Sequence, residues 1–336
     1  MLRGLEIQRL SLPRLMPERV VVPTPPVKVA PSVSIVMPLY NKEAYVGHAL
    51  RSVLGQTFCD FEMIVVNDGS TDSSLDVASG IEDSRIKILD RPNQGVALAR
   101  NQGVHASGAA LIAFIDADDV WLDRHLETLV EAAKMFPAAG MFANRYTHTL
   151  PQGGSRQVAT YSLCANYPCA SLTGGPQVWT SAVMLRRDVF TATGGFPVRE
   201  SHGEDMAVWM RASLIAPVVF SDYVGVYYRR TGDGLASKLI TGPDAFMKAL
   251  DEMLDSAKGF RELTQCLAAH KVNIALAHAI TAYGYGRKDV AAEFIGMANG
   301  SEGFGRKVFV LRAMSYLPEW LCVLLVRLHT LLRRAD

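Results

Sequence analysis

The chain has 336 residues, 49% hydrophobic and 20% charged, a balance that belongs to globular proteins and excludes an intrinsically disordered chain. Its 34 Lys and Arg against 33 Asp and Glu leave a net charge of +1. There is thus no global basic field, and nucleic acid has no support as a partner. Five cysteines (Cys59, Cys164, Cys169, Cys266, Cys322), odd in number and without Cys-x-x-Cys spacing, argue against a disulfide framework or structural zinc and for a reducing, cytoplasmic setting.

Residues 1–31 read as a flexible leader. Six of the 16 prolines fall there (Pro13, Pro17, Pro23, Pro25, Pro26, Pro31), and PTPPVKVAP cannot donate a regular hydrogen-bond ladder. The first 22 residues lack the continuous apolar core of a signal peptide. No run reaches the roughly 18 apolar residues of a spanning helix.

From residue 33 the texture changes. VSIVMPL (33–39) suits a buried strand, and 43–56 carries Val46, Ala49, Leu50, Val53 and Leu54 at helical spacing. FEMIVV (61–66) is a second strand, stopped by Asn67-Asp68-Gly69-Ser70. RIKIL (85–89) is a third, and 96–106 reads as a helix. LIAFI (111–115) is a fourth strand, running into Asp116-Ala117-Asp118-Asp119, with an amphipathic helix expected over 121–136. This alternation predicts an α/β domain built on a mostly parallel sheet flanked by helices. Ligands then bind beyond the carboxyl ends of the strands, so Tyr40-Asn41, Asp68 and Asp116 to Asp119 should share one crevice.

Beyond 150 the alternation weakens. PQGGSRQ (151–157) reads as a loop, 178–190 as a strand running into a short helix, Gly194-Gly195 as a turn, 204–216 as a helix and 218–230 as strand-like. After about 243 the text is helical. The division expected is a leader (1–31), an α/β domain (32–240, with halves meeting near 120) and a helical extension (241–336). In the last stretch, LPEWLCVLLVRLHTLLRRAD, Glu319, Arg327, Thr330 and Arg334 share one side of a helix that is otherwise strongly apolar. A helix lying on a membrane surface through 317–334 and a helix packed on protein both fit that profile.

Each polar cluster has an ordinary reading beside its chemical one. Asp116 and Asp118, two apart in extended chain, face the same way and suit a hard divalent cation, whereas Asp119 could cap the following helix. Asp68 could meet a nucleotide or simply make a turn. Arg100 could hold phosphate or lie solvated on the surface. Glu204 and Asp205 could supply a base or favour a helix N-terminus. His202 reads as a loop histidine, Trp179 and Trp209 as core or pocket-wall aromatics, and Arg229 and Arg230 as diphosphate ligands or an exposed strand end. No G-x-G-x-x-G or G-x-x-x-x-G-K-[ST] follows the first strand, which speaks against dehydrogenases and ATPases.

The ordered set VSIVMPLYN, Gln56-Thr57-Phe58, FEMIVVNDGSTD, Arg100-Asn101-x-Gly103, FIDADD, Gly194-Gly195-Phe196 and Gly203-Glu204-Asp205 resembles the inverting nucleotide-sugar glycosyltransferases of family 2, with the GT-A fold, over about residues 32–235. The resemblance implies that Pro38, Tyr40, Asn41 and Glu43 border the base and ribose, that Asp68 binds the base, commonly uracil, and that Arg100 lies near the donor. It further implies that Asp116 touches ribose or the metal shell, that Asp118 ligates Mn²⁺ or Mg²⁺, that Asp205 is the catalytic base with Glu204 beside it, and that Arg229 and Arg230 close over the diphosphate. Some relatives add a metal-binding histidine there; this chain has none between 222 and 240. The activity implied is transfer from a nucleotide-diphosphate sugar, a UDP-sugar first, to a glycan or lipid-linked saccharide, as in surface polysaccharide synthesis. The setting implied is the cytoplasm, at the inner face of the membrane if the terminal helix binds lipid. A non-catalytic nucleotide-sugar-binding partner and a sugar nucleotidyltransferase stand as alternatives.

Overall fold

The computed structural model describes residues 31–149, 158–200, 202–231, 240–298 and 304–335, with side chains as far as Arg327. The leader up to residue 30, the 151–157 loop, and the side chains of Thr330 and Arg334 lie outside the described residues.

The first half is a parallel αβ unit. β1 (Val33–Leu39), α1 (Val46–Leu54), β2 (Phe61–Asp68), α2 (Ser74–Ser79), β3 (Ile86–Arg91), α3 (Val96–His105) and β4 (Leu111–Phe114) follow in turn. The strands lie in the order β3-β2-β1-β4, all parallel. Every residue of β1 is buried because both faces are covered. Val33, Ile35, Met37 and Leu39 pack with Val46, Leu50 and Val53 of α1, and Val36 packs on the opposite face with Ala97 and Val104 of α3. Gly103 makes the α3 contact possible, since a Cβ there would lie 2.4 Å from Val36 Cγ1. Pro38 is tolerated in this central strand because its missing N–H faces the β4 side, where the ladder ends at Val36 and Phe114.

The second half mixes directions. β5 (Val120–Trp121), α4 (His125–Met135), β6 (Met141–Thr147), β7 (Tyr161–Cys164), α5 (Tyr167–Ala170), β8 (Val183–Arg186), α6 (Arg187–Ala192), α7 (Glu204–Ile215) and β9 (Val218–Tyr227) extend the sheet to nine strands. β8 runs antiparallel to both β4 and β6, β6 and β9 are parallel, and β5 and β7 run antiparallel to β9.

The helix expected over 121–136 starts only at His125. Trp121 is instead held in β5, its indole donating to the Ser181 carbonyl at 2.7 Å while Leu122 N–H donates to Gly225 O at 2.8 Å. Asp119 therefore caps no helix.

Among the described residues five more helices follow: α8 (Ala245–Ser256), α9 (Arg261–Gly284), α10 (Lys288–Met297), α11 (Gly305–Ser315) and α12 (Glu319–Ala335). Phe246 and Leu250 of α8 share the core of Val208 and Trp209 in α7. The remaining helices build their own core around Leu276, Tyr283, Phe294, Leu311 and Cys322. α12 uses both faces: Cys322 is buried and Val326 rests on Gly284, while Trp320 is 67% exposed, with Leu324 and Leu325 exposed beside it. Among the described residues no helix is long and apolar enough to cross a membrane.

One expectation is corrected. Cys169 of α5 and Cys266 of α9 form a disulfide, their Cα atoms 5.2 Å apart across 97 residues of sequence. Spacing rules find local pairs, and this pair is made by packing α5 against α9. Cys59, Cys164 and Cys322 are free. The cysteine argument for a reducing compartment falls with this pairing.

Candidate active site

The parallel order of β2, β1 and β4 brings the loops after their carboxyl ends to one edge of the sheet. The first two loops are stitched together. Asn41, at φ 49°, donates its N–H to Ser70 Oγ and accepts from Thr71 N at 2.8 Å. Lys42 N–H reaches Ser74 Oγ at 2.7 Å. Glu43 N–H reaches Asp72 Oδ2 at 3.1 Å and Glu43 Oε2 accepts from Ser73 N at 2.9 Å. Tyr40 stands 46% exposed at the start of this seam.

Asp68 is buried, and its two oxygens accept the backbone N–H groups of Gln94 (2.7 Å) and Gly95 (2.9 Å). It thereby ties the end of β2 to the start of α3, and each carboxylate oxygen keeps a further lone pair. Beside it, Asn67, Gly69, Ser70, Leu75, Asp90, Arg91 and Pro92 line a cavity of about 390 Å³.

The three aspartates after β4 have separate partners. Asp116 Oδ1 pairs with Arg100 at 2.8 Å, and Asp118 Oδ2 with Lys42 Nζ at 2.9 Å. Asp119 is fully buried, accepting from Ser181 Oγ at 2.5 Å and from the Arg229 backbone N–H at 3.1 Å. Burial and the neighbouring Asp116 push the Asp118 carboxyl above its ordinary range, against the pull of Lys42. Burial and Asp116 also push Asp119 up, to about 8. The Arg229 guanidinium lies over the Tyr45 ring at 4.9 Å, and Arg230 meets His148 Nε2 at 3.1 Å.

Arg100 is buried. One guanidinium arm holds Asp116, the other holds Glu204 Oε1 at 2.8 Å, and its flat face lies 5.3 Å from the Phe196 ring centroid. Burial works against the charge, but Asp116, Glu204 and Asp205 hold it above its usual range. Burial likewise pushes Glu204 up while Arg100 opposes it. Asn101 grips the Phe196 backbone at both its N–H (2.9 Å) and its carbonyl (2.7 Å). The Arg-Asn-x-Gly and Gly-Gly-Phe motifs are thus two sides of one contact.

Gly203 lifts α7 into place. Its φ is 74°, and a Cβ would come 2.9 Å from Phe246 Cβ. Asp205, half-buried in the first turn, accepts Thr180 Oγ1 at 2.8 Å.

The structure therefore gathers Tyr40, Asn41, Glu43, Asp116, Asp118, Arg100, Glu204, Asp205 and Arg229 around the sheet edge, with Pro38 in the strand below and Asp68 beside the neighbouring cavity. Arg100 is not the solvated surface arginine of its ordinary reading. The sequence reading passed over Lys42, Tyr45, Thr180 and Ser181. The two hydroxyls interrupting the apolar run VWTSAVML were the available signal.

Among the described residues no group of three His, Cys, Asp or Glu could hold a metal ion. Two mutually repelling carboxylates, Asp116 and Asp118, remain. That donor set fits a hard divalent cation completing its shell with waters and phosphate oxygens, and does not fit a closed protein cage.

Residues 34–192 match the family model described as Glycosyl transferase family 2. Among curated proteins, 95 residues are 42% identical to the putative glycosyltransferase EpsH of Bacillus subtilis, covering 28% of this chain and 27% of that one. In a separate comparison, 139 residues are 34% identical to the uncharacterized glycosyltransferase EpsJ of the same organism, covering 39% of this chain and 40% of that one. The matched part thus spans well under half the length of these relatives. Among solved structures, S. aureus TarS 1-349 in complex with UDP-GlcNAc aligns with TM-score 0.61 at 20% identity, over 83% of each chain. The mannosyltransferase PcManGT from Pyrobaculum calidifontis, in complex with GDP-Man and Mn²⁺, aligns with TM-score 0.55 at 16% identity, over 89% of this chain and 85% of that one. The fold is the GT-A type that the sequence resemblance implied.

Proposed function

We propose, from the premise that residues 34–192 form a glycosyltransferase family 2 domain, that the protein transfers a sugar from a nucleoside-diphosphate sugar to a hydroxyl of a glycan or lipid-linked saccharide, inverting the anomeric carbon. A UDP-sugar is the favoured donor, as in the TarS complex. One observation carries this reading: a single buried side chain, Arg100, touches both Asp116 and Glu204. One guanidinium therefore ties Asp116, of the pair suited to a cation, to Glu204, the chain neighbour of Asp205, the carboxylate suited to a base.

In this reading the base sits in the cavity beside Asp68, and the seam of Tyr40, Asn41 and Glu43 borders the ribose. Asp118 and Asp116 would hold Mn²⁺ or Mg²⁺, which neutralises the leaving diphosphate as a Lewis acid. Lys42 and Arg229, both over the Tyr45 ring, supply further positive charge, with Arg230 at the rim. Asp205 accepts the proton of the acceptor hydroxyl. Direct displacement inverts the centre, so one base suffices. Thr180 fixes the Asp205 carboxylate, and Arg100 holds Glu204 out of the reaction. The exposed Trp320, Leu324 and Leu325 of α12, next to Arg327, would rest on a membrane surface carrying the acceptor. Sedimentation with anionic vesicles, lost in Trp320→Glu, would support that contact, and unchanged sedimentation would remove it.

The deciding experiment is a thermal-shift panel of UDP, GDP, dTDP and CMP, each with Mn²⁺ and with EDTA. A shift with one nucleotide that requires Mn²⁺ is expected, UDP first. Shifts indifferent to EDTA would discard the metal assignment, and no shift with any nucleotide would overturn the donor site.

A further inference from the structure

Tyr146 near the end of β6, His148 just beyond it, Trp179 before β8, and Tyr228 just beyond β9 form a contiguous cluster of rings. Trp179 and Tyr228 meet edge-on with centroids 4.4 Å apart, Tyr146 lies 5.2 Å from Trp179, and His148 lies 5.1 Å from Tyr228. Tyr146 and Trp179 rest on the core beneath the sheet, yet both remain half-buried, as does Tyr228, and His148 is exposed. The Trp179 indole N–H is buried with no acceptor among the described residues.

The cluster is tied to the chemistry from two sides. Trp179 precedes Thr180, whose hydroxyl holds Asp205. Tyr228 precedes Arg229, whose backbone N–H holds Asp119.

We infer that this cluster is the seat of the acceptor's sugar ring, an inference that rests on the transferase reading above. A pyranose offers a face of C–H groups and a rim of hydroxyls. Partly exposed aromatic faces match the first, and the tyrosine hydroxyls with the Arg230–His148 pair match the second. A ring stacked there lies between the groups that hold Asp205 and those that hold the aspartates, as an attacking hydroxyl requires.

The test uses the full chain with UDP and Mn²⁺. The probes are the methyl β-glycosides of glucose, galactose and N-acetylglucosamine, followed by saturation-transfer NMR on their ring protons. At least one glycoside should receive saturation in the wild type. Trp179→Ala should weaken its binding by about tenfold, and Trp179→Phe by less, as expected for loss of one aromatic face. Both variants should keep the UDP shift. Unaltered glycoside binding in both variants overturns the inference, as does failure of all three glycosides to bind a wild type that binds UDP. If Trp179→Ala does not fold, Trp179→Phe at unchanged midpoint decides. A wild type without a UDP shift overturns the transferase reading, and this inference with it.

Discussion

Arg100 and Glu204, 104 residues apart in the chain, meet at 2.8 Å, and the other arm of the same guanidinium holds Asp116 at 2.8 Å. Removing the cation strands a buried carboxylate. Arg100→Met should therefore cost about 3–5 kcal/mol of folding stability, read by urea denaturation. Arg100→Lys should recover only part of it, because a point ammonium cannot span both carboxylates. A neutral result for Arg100→Met would show that the bridge carries no structural weight.

Asp205→Asn should leave the nucleotide shift intact and lower transfer by about 100- to 10,000-fold, the contribution of a positioned base. Thr180→Val, which removes only the hydroxyl holding that carboxylate, should lower turnover less and leave donor affinity alone. Initial rates at saturating donor measure both. Wild-type turnover in Asp205→Asn would remove it as the base.

Asp119 predicts a pH dependence. Its folded pKa, about 8, stands above the ordinary value of 3.8 because burial and Asp116 disfavour the charge. The folded state thus binds the proton more tightly than the unfolded state. This contribution to stability is complete below about pH 4 and is lost as pH rises toward 8, by up to about 1.4 kcal/mol per pH unit. Asp119→Asn should flatten the stability profile between pH 5 and 8. Parallel profiles for the two proteins would show that Asp119 is charged throughout.

Cys169→Ser should cost about 4 kcal/mol, because the bridge closes 97 residues of chain. A reducing agent should lower the wild-type melting midpoint and leave the variant's unchanged. Equal response of both proteins would show that the bond contributes nothing.

The parallel half of the fold was legible because strands buried on both faces are nearly continuous apolar runs, interrupted in VSIVMPL and FEMIVV only by Ser34 and Glu62, which bond each other, and polar residues mark where each one ends. The antiparallel half was harder to see. β5 has two residues, and Trp121 reads as the first residue of an amphipathic helix until the Ser181 carbonyl and β9 are there to bind it. The carboxylates that could do chemistry were legible for the same reason as the strand ends. Their partners were not: nothing local in Gly95 to Gly103 says that Arg100 is buried, because its burial depends on Glu204 and Phe196 from the other half. The Cys169–Cys266 pairing is long-range in the same way.

The seam between residues 41–43 and 70–74 has a thermodynamic corollary. Hydrogen bonds from Asn41, Lys42 and Glu43 already fix both rims of the groove against each other. In the proposed reading, a nucleotide bordering this seam would meet a shape set in advance and lose little backbone entropy to the fit. Calorimetry should then register a small heat-capacity change, close to that of the ligand's own buried surface, with no added contribution from folding of the loops.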